Sequence, residues 1–154
     1  MPGLILLSAP DALPEPDHPG SWPDVERLVA RWLTQRVGLS VWGVTNELDV
    51  YRSGEIGTGE QDKVPFLSVE RVGGIGRDVD RDVDVEVGVW TADRASLWPL
   101  VQRVEVAMRA LAANGSGEYV DDVAETFTFA RDPYPNQSVR RAIATYTLTV
   151  RPLR

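Results

Sequence analysis

Residues 81–90 read RDVDVEVGVW. Val83, Val85, Val87 and Val89 alternate strictly with Asp82, Asp84, Glu86 and Gly88. Successive side chains of a strand point to opposite faces, so this pattern predicts a strand with one buried and one wet face. A helix would scatter the same valines around its circumference. The rest of the chain must supply the apolar layer that these valines face.

Working outward, residues 64–72 (VPFLSVERV) predict a second strand. Its alternation slips between Phe66 and Leu67, which points to a bulge, and Pro65 suits a strand start or an edge. Gly73, Gly74 and Gly76 predict the turn that joins the two strands as a hairpin. Downstream, Leu97, Leu100, Val101, Val104, Met108 and Leu111 form one helical stripe from about Ser96 to Ala113. Ser96 as N-cap places Pro99 in the first turn, where a missing N–H costs little. A start near Ala92 with a kink is the alternative, and Asn114-Gly115 caps the end.

Upstream, Val25, Leu28, Val29, Trp32 and Leu33 predict a first helix over 22–37. Ser21 is its N-cap, Pro23 and Asp24 suit its first turn, and Gly38 ends it. Residues 39–52 read as a short strand and residues 53–63, with three glycines, as a flexible loop. Two more strands close the domain. Val123, Phe127 and Phe129 share a face of the strand over 119–130. From Ala142 onward, Ala142, Ala144, Tyr146, Leu148 and Val150 share another, and residues 131–141 form a turn cluster between the two. The expected fold is α+β: a mainly antiparallel four-stranded sheet with two helices on one face, order α-β-β-α-β-β, in a single domain over 22–154. Residues 1–21, with Pro10, Pro14, Pro16 and Pro19, read as a proline-rich N-terminal arm. Such an arm either reaches a neighbour or packs on its own domain.

The chain has 154 residues and fits one domain that buries roughly 68–70% of its unfolded surface. It has no cysteine and a single histidine, His18. A disulfide framework, thiolate metal sites and a cysteine nucleophile are excluded, and serine–histidine catalysis or a zinc site is disfavoured. MPGLILLSAP lacks a basic region before its short apolar run and does not read as a signal peptide. No apolar stretch approaches the roughly 20 residues of a membrane helix, so no membrane partner is expected. Of five tryptophans, Trp32 and Trp90 fit the core patterns, while Trp22, Trp42 and Trp98 suit the core edge or partner contacts.

The net charge of −7 is unevenly placed. Residues 78–86 hold five acids and one arginine, a balance of −4. Residues 116–130 hold Glu118, Asp121, Asp122 and Glu125, again −4. Residues 131–154 hold five arginines, among them Arg131, Arg140, Arg141 and Arg151, against one aspartate, +4. An acidic chain is not a free-standing DNA binder, because that affinity comes mainly from neutralising phosphates.

Asp78, Asp80, Asp82 and Asp84 alternate in the manner of calcium ligands. An EF-hand loop needs glycine at its sixth position and glutamate at its twelfth. Counted from Asp78 those are Val83 and Val89; counted from Asp80 they are Val85 and Thr91. Both frames fail, and strand alternation spaces the carboxylates about 6–7 Å apart instead of converging them. A solvated acidic face is the reading. Gly73-Gly74-Ile75-Gly76 lacks the Lys-Ser/Thr and the helix of a phosphate loop. Nothing marks a carboxylate pair as buried, so no catalytic, cofactor-binding or metal residue is assigned and the chain reads as a non-enzyme.

The segment VPFLSVERVGGIGRDVDRDVDVEVGVW resembles the central hairpin of tail terminator proteins of long-tailed, non-contractile bacteriophages. There a proline-led strand ends in Arg-x-Gly-Gly and a valine-alternating strand follows. The matching residues are Pro65, Arg71, Gly73 and Gly74. The close, PYPNQSVRRAIATYTLTVRP, resembles the family's last turn and strand through Pro133, Pro135, Asn136, Arg140 and Arg151. The likeness covers about residues 22–152 and leaves out the arm. It implies a homohexameric ring that caps the tail tube, ends polymerisation of the major tube protein and meets the head-completion (stopper or connector) complex. Double-stranded DNA then passes through the bore without specific binding. The implied location is the head-proximal end of the virion tail, after assembly in the host cytoplasm.

A ring joins different surfaces of successive subunits. The acids Glu118, Asp121 and Asp122 and the arginines Arg131, Arg140, Arg141 and Arg151 are the candidate interface, since opposite patches steer head-to-tail pairing. A hexamer would carry 6 × (−7) = −42 formal charges. Asp78, Asp80 and Asp82 are candidates to line the bore and repel phosphates within a screening length of about 8–10 Å. The alternative for these three is an outer face that keeps the protein soluble. A head-to-tail connector is the second function class, and a small-molecule-binding α+β module the third.

Overall fold

The computed structural model describes residues 21–38, 44–45, 64–112, 119–133 and 139–153. Its elements are α1 (Val25–Val37), β1 (Val44–Thr45), β2 (Phe66–Gly76), β3 (Arg81–Thr91), α2 (Arg94–Ala110), β4 (Val120–Arg131) and β5 (Arg140–Val150). Four long antiparallel strands and two helices follow in the expected order α-β-β-α-β-β. The two-residue β1 pairs in parallel with Leu67 and Ser68 at one edge, giving the sheet order β1-β2-β3-β5-β4. The arm over 1–20, His18, Trp42, the loop 53–63, Asn114-Gly115, Glu118 and residues 134–138 of the 131–141 connector lie outside the described residues.

The valine alternation has the expected consequence. Val83, Val85, Val87 and Val89 are buried, as are the opposing Ala142, Ala144, Tyr146, Leu148 and Val150. Both helices cover this face: α1 lies over β1–β3 and α2 over β3, β5 and β4. The α2 stripe Leu97, Leu100, Val101, Val104, Met108 and Leu111 is buried in the same cluster as α1's Val25, Val29, Trp32 and Leu33. Burying each such side chain contributes roughly 1.5–3 kcal/mol. Trp32 Nε1 donates to the Ala107 carbonyl at 2.7 Å, and the Arg103 guanidinium donates to the carbonyl of Val37 where α1 ends at Gly38, in the left-handed region at φ 70°.

Both helices start elsewhere than expected. Asp24, not Ser21, caps α1, accepting from Arg27 N at 3.1 Å. Asp93, not Ser96, caps α2, accepting from Ser96 N at 2.9 Å. Aspartate and serine are comparable caps, so position in the turn decides between them. Pro99 therefore lies inside α2, beyond its first turn. Proline there leaves the carbonyl four residues back without its helical donor, and that residue, Ala95, is exposed to water.

Strand β2 departs from the reading in two ways. Phe66 and Leu67 pair regularly with Trp90 and Val89; the register shift lies between Arg71 and Gly73. The broken alternation at Phe66-Leu67 reflects burial on both faces. Leu67 joins the main core, while Phe66, Trp90 and Val139 form a second cluster on the opposite face. Phe66 and Trp90 stack at 5.1 Å between ring centroids, and Trp90 Nε1 donates to Ser68 Oγ at 3.0 Å. Gly88, opposite Ser68, leaves room for that bond, because a Cβ there would meet Ser68 Oγ and Trp90 Nε1.

Residues Gly73, Gly74 and Gly76 are also strand, not turn. They pair with Asp84, Val83 and Arg81, and the turn is Arg77 to Asp80, closed by Arg77 N donating to Asp80 O at 3.1 Å. Gly74 has φ 143°, and a Cβ on it would strike the Asp82 carbonyl of the facing strand. Only glycine fits this approach. In β4, Phe129 is buried against Tyr146 at 6.3 Å, but Phe127 is 72% exposed. Register shifts on either side of Phe127 turn it away from the face shared by Val120 and Phe129.

Candidate assembly surfaces

Among the described residues, both helices lie on one face of the sheet. Pairing register places Glu70 and Ile75 of β2, Asp82, Asp84 and Glu86 of β3, and Thr145, Thr147 and Thr149 of β5 on the opposite face. The acids there are stitched into the fold. Thr149 Oγ1 donates to Asp82 Oδ1 at 2.8 Å, and Thr147 Oγ1 to Asp84 Oδ1 at 2.6 Å. Arg77 reaches back from the turn, its Nη1 3.0 Å from Asp80 Oδ1 and its Nη2 2.7 Å from Asp82 Oδ2. Bonds from Arg77 first, and Thr149 second, hold the Asp82 carboxyl below the usual carboxylate range. The same carboxylates push the Arg77 guanidinium further up.

Asp78, Asp80 and Asp82 thus lie together at the hairpin end of the sheet, Asp78 exposed in the turn beside Val79. The turn projects beyond the core, with every residue from Arg71 to Val79 exposed. Val72, Ile75 and Val79 put apolar side chains into water here, Val79 at 78% exposure.

Six of the seven candidate interface residues separate into two groups. Arg131, Arg140 and Arg141 lie at the Trp90 end, where Arg131 pairs with Ala142 and Arg140 with Thr91. Arg141 is held there by an ion pair to Asp132, its guanidinium 4.8 Å above the Trp90 ring. Arg151, Asp121 and Asp122 lie at the hairpin end, roughly 33 Å away for ten residues of strand at about 3.3 Å each. Glu118 lies outside the described residues. Arg151 Nε sits 2.8 Å from Asp121 Oδ1, so these two opposite charges meet within one chain.

At the hairpin end the chain termini of the domain also converge. Leu153 N donates to Ser21 O at 2.7 Å, and the Arg81 guanidinium lies 4.1 Å above the Trp22 ring. On the helix side, Tyr146 Oη donates to Glu125 Oε2 at 2.7 Å. Burial, and then Glu125, pushes this phenol's pKa up.

Sequence reasoning missed Arg77, Thr147 and Thr149, which bind the acids, and the isolated exposed Val106 of α2. Alternation signals Thr147 and Thr149, since both stand opposite the apolar face of β5. Arg77 gives no such sign until the turn is placed four residues later than the glycines suggest. Among the described residues, no helix is long and apolar enough to cross a membrane, and no three acids or histidines are placed to hold a metal ion. No protein-family model matches the chain, and no curated protein matches it.

Proposed function

We propose that this chain builds the ring that caps the tube of a non-contractile phage tail and joins it to the head-completion complex. The observation that carries the reading is the central hairpin. The residues that resemble the tail terminator family there run from Pro65, at the packed end, to Arg71, Gly73 and Gly74 near the turn, where exposed Val72, Ile75 and Val79 suit a contact with another molecule. The α-β-β-α-β-β order agrees with the fold that resemblance implies.

The chemistry fits a structural role. Asp78, Asp80 and Asp82 give the hairpin end a surplus of acid. That surplus suits a contact with a basic surface on another molecule. The partners are then further copies of the chain, the tube protein, and a head-side protein.

The test is native mass, measured alone and with purified tail tubes, together with tail length in phage lacking the protein. A six-fold ring on tube ends and over-long or ragged tails support capping. Normal tails detached from full heads would assign the chain to a connector instead. A monomer in both conditions would end the ring reading.

A further inference from the structure

We infer that subunits join by seating the hairpin turn of one copy, Val79 between Asp78 and Asp80, on the outer side of α2 of the next, at Val106 between Arg103 and Arg109. The contact rests on the ring reading above and names its two halves.

Three observations support it. First, Val79 in the β2–β3 turn and Val106 in α2 are apolar side chains left at 78% and 60% exposure. Second, their flanks are complementary. Arg103, Val106 and Arg109 recur every three residues, so they share one side of the helix, and all three are exposed. From Arg94 to Ala110 the helix carries three arginines and one glutamate, a balance of +2; the turn from Arg77 to Asp80 carries one arginine and two aspartates, −1. Third, the two halves are placed for a head-to-tail contact. Arg81 pairs with Val150, which pairs with Val120, and the turn just precedes Arg81. α2 starts after Thr91 and its chain enters β4 at Val120, so Val106 lies toward that same end of the sheet.

The sides differ, however. The turn belongs to β2 and β3, while α2 extends over β5 and β4 toward the other edge. Two different surfaces on opposite sides of one subunit, at one level, make a heterologous contact that can close into a ring. The Arg77 bonds to Asp80 and Asp82 hold the turn in shape before it docks, which lowers the ordering cost of binding.

The chain has no cysteine, so a disulfide can report this contact directly. A chain carrying both Val79→Cys and Val106→Cys should cross-link on mild oxidation, alone or on tail tubes, into a ladder that ends at the ring size. Under denaturing conditions, mixed chains carrying one substitution each should stop at covalent dimers, and each alone should run as single, uncross-linked chains. Asp78→Arg or Arg109→Asp in the double-cysteine chain should each cut ladder yield about ten-fold, as like charges facing across an interface do. Combining the two reversals should restore it. A double-cysteine chain that stays monomeric, single variants that cross-link to themselves, or reversals that fail to rescue each other would overturn the contact. Ladders without any effect on tube length would leave the contact standing and sink the capping role. Capped tubes without the ladder would do the reverse.

Discussion

The two ends of the β2–β3 hairpin belong to the same pair of strands and have opposite fates. At the Phe66–Trp90 end both faces are buried, one in the main core and one in the aromatic cluster with Val139. At the Arg77–Asp80 end every residue from Arg71 to Val79 is exposed, and Val72, Ile75 and Val79 stand in water. The first end is held by packing. The second is held by polar bonds, Arg77 to Asp80 and Asp82, and by the close backbone approach at Gly74. Alternation alone therefore does not say which apolar side chains serve the core; the layer above them does.

The contrast can be broken most sharply at the packed end. Trp90→Ala removes the stacked partner of Phe66 and leaves Ser68 Oγ without its donor, and should cost about 3–5 kcal/mol, read as the drop in unfolding free energy in urea. A loss under about 1 kcal/mol would mean that the second cluster is not part of the cooperative core. Next in size, Gly74→Ala meets the Asp82 carbonyl at a φ that disfavours side chains, and should cost about 1–3 kcal/mol. Hydrogen exchange should show that loss concentrated in residues 71–84.

Acid should act on the exposed end through Asp82. Its folded pKa lies below the unfolded value of about 3.9, so its contribution is present above that value and disappears as pH falls through the folded one. Melting temperature should decline below about pH 4, and more steeply in the natural chain than in Asp82→Asn, where the Arg77 and Thr149 contacts no longer titrate. Equal slopes would mean that the turn is not locked by charge. The smallest stability effect should come from Val79→Ser, within about 0.5 kcal/mol of the natural chain. Its fold should persist while self-association weakens, which separates a surface residue from a core one.

The residue pattern made the layer architecture legible. Val83–Val89, Ala142–Val150 and the stripes of both helices fall where period 2 and period 3.6 place them, because each element needs only one buried face. Local chemistry also located most boundaries to within a few residues. It misjudged the caps, since Asp24 and Ser21, or Asp93 and Ser96, compete on near-equal terms until the turn is built.

Among the candidate site residues, the clustering of Asp78, Asp80 and Asp82 was legible from spacing, while the splitting of the arginines between the two ends of β5 was not. Arg141 and Arg151 are ten positions apart, and only the extended strand converts that into separate surfaces. Likewise the turn at Arg77 instead of the glycines, the outward Phe127, and the two-sided burial of Phe66 and Leu67 were decided by tertiary structure. In each case a side chain's surroundings depend on what a distant strand or helix brings to it. A sequence read along its own length carries the period of an element but not the neighbour that covers it.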